Sequence, residues 1–123
     1  MTPRAAPRPS ELCTWQDWRV DDCRGLRVGT LAEVYEDLAI AAPVWFLVRL
    51  ADYSARFALA PPAEVLAWHG RICLPFHRER IESAPALYSP PDEVGPGLEA
   101  RLRSHYGLES ASGVHMNARR TPA

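Results

Sequence analysis

The chain has 123 residues, a length that accommodates one ordinary domain plus loose ends rather than two domains. Hydrophobic residues at 47% with 24% charged lie near globular averages, which excludes a wholly disordered or fibrous chain. The fourteen basic residues, all Arg, face fifteen acids for a formal net charge of −1, which argues against nucleic acid, whose binding domains carry a basic excess or stripe. Residues 1–14, rich in Pro and Arg at the start, read as a disordered N-terminal tail. After the turn Asp21-Asp22-Cys23-Arg24-Gly25, the alternation of Val28, Thr30, Ala32 and Val34 with Gly29, Leu31, Glu33 and Tyr35 predicts a strand near residues 28–36. Residues 44–50 (VWFLVRL), bounded by Pro43 and Ala51-Asp52 and apolar on both faces, predict a central buried strand.

Residues 56–60 read as a further strand that stops at Pro61-Pro62, because proline cannot donate to a ladder. Residues 63–68 fit either a turn of helix or a strand edge, and His69-Gly70-Arg71 makes a turn. Residues 72–76 resume an apolar strand limited by Pro75. Short strands joined by tight turns are the pattern of a small antiparallel barrel or sandwich.

A Pro/Gly-rich joint at 89–97 then changes the period. Leu98, Leu102, His105 and Tyr106 fall at i, i+4, i+7 and i+8, Glu99 and Arg103 form an i, i+4 pair, and Gly107 supplies a C-terminal stop. One short amphipathic helix is expected, with its stripe docked on the barrel or on a partner. Residues 109–123 are small and polar and read as a disordered C-terminal tail.

The longest apolar run, 38–48, is eleven residues and contains Pro43, whereas a spanning helix needs about 20. No apolar segment of the kind a secretory signal carries follows the N-terminus, so a soluble, cytoplasmic location without membrane insertion is expected. Cys13, Cys23 and Cys73 are odd in number and form no C-x-x-C, so reduced thiols are expected.

The order of these segments resembles the PRC-barrel family, as a stand-alone bacterial member, over about residues 18–88. The resemblance rests on the stretch from Asp21-Asp22-Cys23-Arg24-Gly25 through Leu31, on Glu33-Val34-Tyr35-Glu36-Asp37, on Trp45-Phe46-Leu47-Val48-Arg49, on Ala58-Leu59-Ala60-Pro61, and on 72–85. His105-Tyr106-Gly107 is similar to the helix ending of stand-alone members. This sequence departs from the family between Asp37 and Pro43, where an apolar loop replaces an acidic, glycine-containing turn. The resemblance implies a mainly β fold, a small antiparallel PRC-type β-barrel over 15–88, with the joint and a short C-terminal helix over 89–108 and disordered tails. It also implies a docking or assembly role without shared catalytic residues.

Candidate chemistry is sparse. His69, Cys73 and His77 form H-x3-C-x3-H, but Gly70 and Pro75 break a helix there, and along a strand each step of four spans ~13 Å, too far for ligands at ~2.0–2.3 Å from one metal. A Cys73–His77 nucleophile pair oriented by Glu79 has no oxyanion loop or nucleophile elbow beside it. Neither G-x-G-x-x-G nor a Walker-type loop is present, and the acid pairs Asp21-Asp22, Glu36-Asp37 and Asp92-Glu93 read as solvated caps at turns. Arg78, Arg80, Arg101 and Arg103, with Arg119-Arg120, are interleaved with Glu79, Glu82 and Glu99 and read as a mixed surface.

The aromatics say more. Four tryptophans are hard to hide in a small barrel, so Trp15 or Trp68 is expected at the surface as a contact anchor and Trp45 in the core. The expected function is a non-catalytic protein-binding adaptor or assembly module without metal or cofactor. Its contact surface is expected at Leu38, Ile40, Pro43 and Trp68 and along the helix stripe Leu98, Leu102 and Tyr106. The protein partner is not specified by the residues, and open barrel edges favour a homo-oligomer. The alternatives are an RNA- or ribosome-associated maturation factor and a thiol enzyme.

Overall fold

The computed structural model describes residues 15–37, 42–51, 55–62, 64–108 and 118–120. Its strands are β1 (Arg19–Asp21), β2 (Arg27–Asp37), β3 (Ala42–Leu50), β4 (Phe57–Ala60), β5 (Leu66–Trp68), β6 (Arg71–Cys73), β7 (Glu93–Val94) and β8 (Ala118–Arg120). Among the described residues two helices join them, α1 (Arg78–Glu82) and α2 (Pro96–Tyr106). The strand order is β4-β3-β2-β1-β6-β5, with β8 beside the far end of β2 and β7 beside β8. The domain is mainly β, as expected, with the helix at its C-terminal side. No helix among the described residues is long and apolar enough to cross a membrane.

Three expectations about the sheet need correction. The sheet is mixed, because β1 pairs in parallel with β6, Arg19 opposite Arg71 and Asp21 opposite Cys73. Parallel neighbours require a long crossover, and the intervening chain that forms β2 to β5 provides it. Second, no ladder joins β4 to β5 among the described residues, so the sheet is not closed into a barrel. Pro61 and Pro62 end β4, and β5 is three residues long, which leaves little backbone to pair there. Third, β8 lies inside the segment expected to be a tail and pairs with both β2 and β7.

β3 behaves as the composition of 44–50 requires. Trp45, Phe46, Leu47 and Val48 are all buried, so both faces of the strand are covered. Consecutive residues point to opposite faces. On one side Trp45 meets Tyr106 of α2 with ring centroids 6.5 Å apart, and on the other Phe46 meets the edge of Trp15 at 6.4 Å. Each fully buried side chain of this size contributes about 1.5–3 kcal/mol.

The face that meets Trp15 carries the inner core. Its cross-strand row Leu50, Gly29, Val20, Ile72 and Ala67 runs through β3, β2, β1, β6 and β5 and is buried throughout. Gly29 is required within it, because a Cβ there would lie 1.9 Å from the Arg49 carbonyl oxygen. The β5–β6 hairpin closes through His69 and Gly70, whose φ values of 45° and 77° are the paired left-handed conformations of a two-residue type I′ turn.

Helix α2 covers the Trp45 end of the opposite face. α2 runs from Pro96 at its first position to a left-handed Gly107 cap, and its apolar stripe docks on the chain's own sheet: Leu102 and Tyr106 are buried, and the Tyr106 hydroxyl donates to the Leu59 carbonyl at 2.6 Å. Glu99, spaced for Arg103, also faces β3. It is buried and accepts the Trp45 indole N–H at 3.1 Å, which satisfies a donor that would otherwise cost about 1–3 kcal/mol. α1 was not legible in the sequence; β6 stops at Cys73 rather than Phe76, and Pro75-Phe76 bend the chain into α1.

The substitution Gly29→Ala is expected to lower stability by about 1–3 kcal/mol or more, because the clash is with β3 backbone rather than a movable side chain. Urea denaturation of the two proteins measures it, and an unchanged midpoint would contradict the close approach.

Candidate interaction surface

The region between β1, β6 and α1 holds the densest polar network. Asp21 and Asp22, expected to be solvated, are 1% and 0% exposed. Being adjacent in an extended segment, they face opposite ways and do separate work. Asp21 is gripped by the Arg19 Nε on its own strand and by the Arg71 Nε of β6 at 3.0 Å. Asp22 Oδ1 accepts the N–H groups of Arg24 at 2.8 Å and Leu26 at 2.9 Å, closing the turn after β1. Its Oδ2 accepts the Arg24 guanidinium and, at 3.0 Å, the Arg78 N–H at the first position of α1. Arg24 reaches on to Glu79 at 2.7 Å. Burial alone would raise the Asp22 carboxyl, but the N–H donors of Leu26 and Arg78 and those of Arg24 outweigh it and hold the group at about 2.

Cys73 is part of this structural knot. Its Sγ donates to the Asp22 carbonyl at 3.1 Å. Burial pushes the thiol up, and Asp21 and Asp22 push it the same way. Glu79, expected as a possible orienter of His77, is instead bonded to Arg24. Its own backbone N–H, then Arg24, hold it below the usual carboxylate range. Among the described residues no group of three His, Cys, Asp or Glu side chains could hold a metal ion. His69, Cys73 and His77 fall on a hairpin turn, a strand and a helix cap.

The expected contact residues are scattered by the fold. Leu38 and Ile40 lie outside the described residues. Pro43 is half-buried within β3, opposite Glu36. Leu98 packs half-buried against the core, whereas Leu102 and Tyr106 are inside it, which removes both from an open surface. Trp15 is also buried, at 4% exposure, and stacks on Trp18 at 5.5 Å. Trp68 is half-buried on β5, the last strand of the sheet path, with Leu66 39% exposed two residues away on the same face. Among the described residues Tyr88 and Leu26 are the other large apolar side chains left exposed, at 71% and 42%. Among the expected residues that are described, Trp68 is thus the one that stands at an open face beside another exposed apolar group.

The structure adds residues that the sequence did not single out. Reading across the ladders, Trp68 lies opposite Arg71, Arg71 opposite Arg19, Arg19 opposite Thr30, Thr30 opposite Arg49, and Arg49 opposite Phe57. Directly opposed residues share a face. This row is the outward counterpart of the buried row through Val20 and Ile72. The neighbouring outward row holds Leu66, Cys73, Asp21 and Arg27. Between the end of α1 and α2, a separate shallow depression of about 570 Å3 is lined by Ser83, Pro85, Arg101 and His105. The His105 Nε2 there is already spent on the Arg80 carbonyl at 2.6 Å.

A scan of protein-family models matches no family to this chain, and a search of the curated proteins finds no match.

The Asp22 network makes acid stability testable. Its folded value of about 2 lies below the ordinary 3.8, so its stabilisation is complete above about pH 4 and is lost as pH falls through about 2. Allowing for screening, the contribution is about 1–2 kcal/mol. Urea midpoints measured from pH 6 to 2 are expected to fall for the wild type and to start lower and vary less for Asp22→Asn. Equal acid slopes would contradict the assignment. Iodoacetamide is likewise expected to label exposed Cys23 faster than Cys73, whose thiol is half-buried and raised, and mass spectrometry of the labelled chain reads the order.

Proposed function

We propose that this chain is a non-catalytic protein-binding module, a PRC-barrel-like adaptor or assembly domain, that docks its partner on the outward face of β5 and β6. The observation that carries the reading is the pair Leu66 and Trp68, apolar and incompletely covered, on the strand at the end of the sheet path. A large aromatic beside an exposed aliphatic on a rigid hairpin is the composition of an interface anchor. The position also supports it, since a terminal strand offers a backbone edge as well as a face. The polar groups that could suggest chemistry are committed to structure: Cys73 to the Asp22 carbonyl, Asp22 to the α1 start, and Glu79 to Arg24.

The PRC-barrel likeness rests on the order of segments, from the Asp21-to-Leu31 turn and strand through the proline-ended β4 to the hairpin and the helix ending His105-Tyr106-Gly107. Open edges at β4 and β5 also leave room for a second copy of the chain as the partner.

Affinity capture from the native cells with the wild type and with Leu66→Ser/Trp68→Ser tests the reading. The double variant is expected to lose at least about tenfold of the partner recovered, as removal of an interface anchor costs about 2 kcal/mol or more. Circular dichroism checks that it remains folded. Equal recovery by both folded proteins would overturn the proposal.

A further inference from the structure

The outward face beside Trp68 is not only apolar. The strand register gathers Arg71, Arg19 and Arg49 into one line across β6, β1, β2 and β3, with Arg27 in the next row. These residues are separated by as many as 52 positions in the chain, yet adjacent strands stand only about 4.8 Å apart. Arg71 and Arg49 are exposed, and the Arg19 side chain is 42% exposed.

The line carries net positive charge. Asp21 is the carboxylate that answers it, and both Arg19 and Arg71 bind that group through Nε, leaving their outer guanidinium nitrogens to other partners. Arg49 meets no carboxylate among the described residues; its guanidinium lies 4.9 Å from the centre of the Phe57 ring, which props it on the surface. Glu33, the next acid on this face of β2, stands one row further along, opposite Leu47. Flat apolar support, fixed guanidiniums and a chain whose overall charge is −1 together distinguish a local basic strip from a generally basic protein.

On the reading that the β5–β6 face is a docking surface, we infer that its partner is an acidic protein segment, bound in extended form across the strands, with carboxylates on Arg71, Arg19 and Arg49 and an apolar side chain over Leu66 and Trp68. Charge complementarity selects the occupant. Guanidiniums take carboxylates in a bidentate fork, and the distance from β5 to β3, four interstrand steps from Trp68 to Arg49, is about 19 Å, within reach of about six extended residues. A nucleic acid would offer phosphates to the same groups, but the near-neutral balance of the whole chain lacks the long-range attraction that such a ligand uses.

Fluorescence polarisation tests this with a dodecapeptide alternating Glu and Ser with one terminal Leu, its Gln-for-Glu counterpart, and dodecauridylate. The Glu peptide is expected to bind in a salt-dependent manner and more tightly than the Gln peptide. Arg49→Gln and Arg71→Gln are each expected to weaken it about two- to fivefold and the pair about tenfold, while Arg49→Lys retains most of the binding. Thermal melts confirm that each variant is folded. Equal binding of the Gln peptide, no binding of the Glu peptide, or tighter Arg-dependent binding of dodecauridylate would overturn the inference. If the peptide fails while partner capture still depends on Leu66 and Trp68, the charge inference falls and the docking reading stands. If the peptide binds through the arginines while capture ignores Leu66 and Trp68, the docking reading falls instead.

Discussion

Two neighbouring carboxylates at the end of β1 hold the parallel seam on which the rest of this fold depends. Asp21, facing outward, binds Arg19 of its own strand and ties β1 to β6 through Arg71. Asp22, facing the other way, closes the turn into β2 and receives the first N–H of α1. Each is buried, and a buried charge is tolerated only when its lone pairs are filled. Here local donors from Arg19, Arg24 and Leu26 fill part of them, and Arg71 and Arg78, fifty or more residues away in sequence, fill the rest, which draws β1, β6 and α1 together.

That seam converts a run of hairpins into a larger sheet. Without it, β5 and β6 would be a three-residue hairpin with no independent stability. With it, Ile72 and Ala67 extend the buried row begun by Leu50, Gly29 and Val20, while the alternate residues of the same strands are turned to solvent. The polar network and the apolar core are thus two faces of one register. Helix α2 covers the Trp45 end of the other side, where Trp45 delivers its indole N–H to Glu99 and Tyr106 its hydroxyl to Leu59.

The same register accounts for the character of the open face. A pleated strand that buries one set of side chains must present the other, and on β1, β6 and β3 that other set includes arginines. Half of the arginine charge nearest the seam is neutralised by Asp21, which serves the fold. What remains, next to Trp68 and Leu66, is a face with both an apolar anchor and fixed positive groups. The cysteine and histidines that drew notice in the sequence lie at the margin of this arrangement and are engaged in backbone contacts or left at turns.

Local patterns determined much of the architecture from the sequence alone. The continuous apolar run 44–50 specified a doubly covered strand, the period-two alternation near Val28 specified β2, and the spacing of Leu98, Leu102 and Tyr106 with Gly107 specified α2, because each pattern reports which sides of one segment leave water. Tertiary structure alone decided the rest. The parallel pairing of β1 with β6, the placing of β8 against β2, the withdrawal of Leu102, Tyr106 and Trp15 into the core, and the alignment of Arg71, Arg19 and Arg49 all depend on which distant segments become neighbours. Ladder register is set by the summed satisfaction of many long-range contacts, and no single stretch of the chain carries that sum.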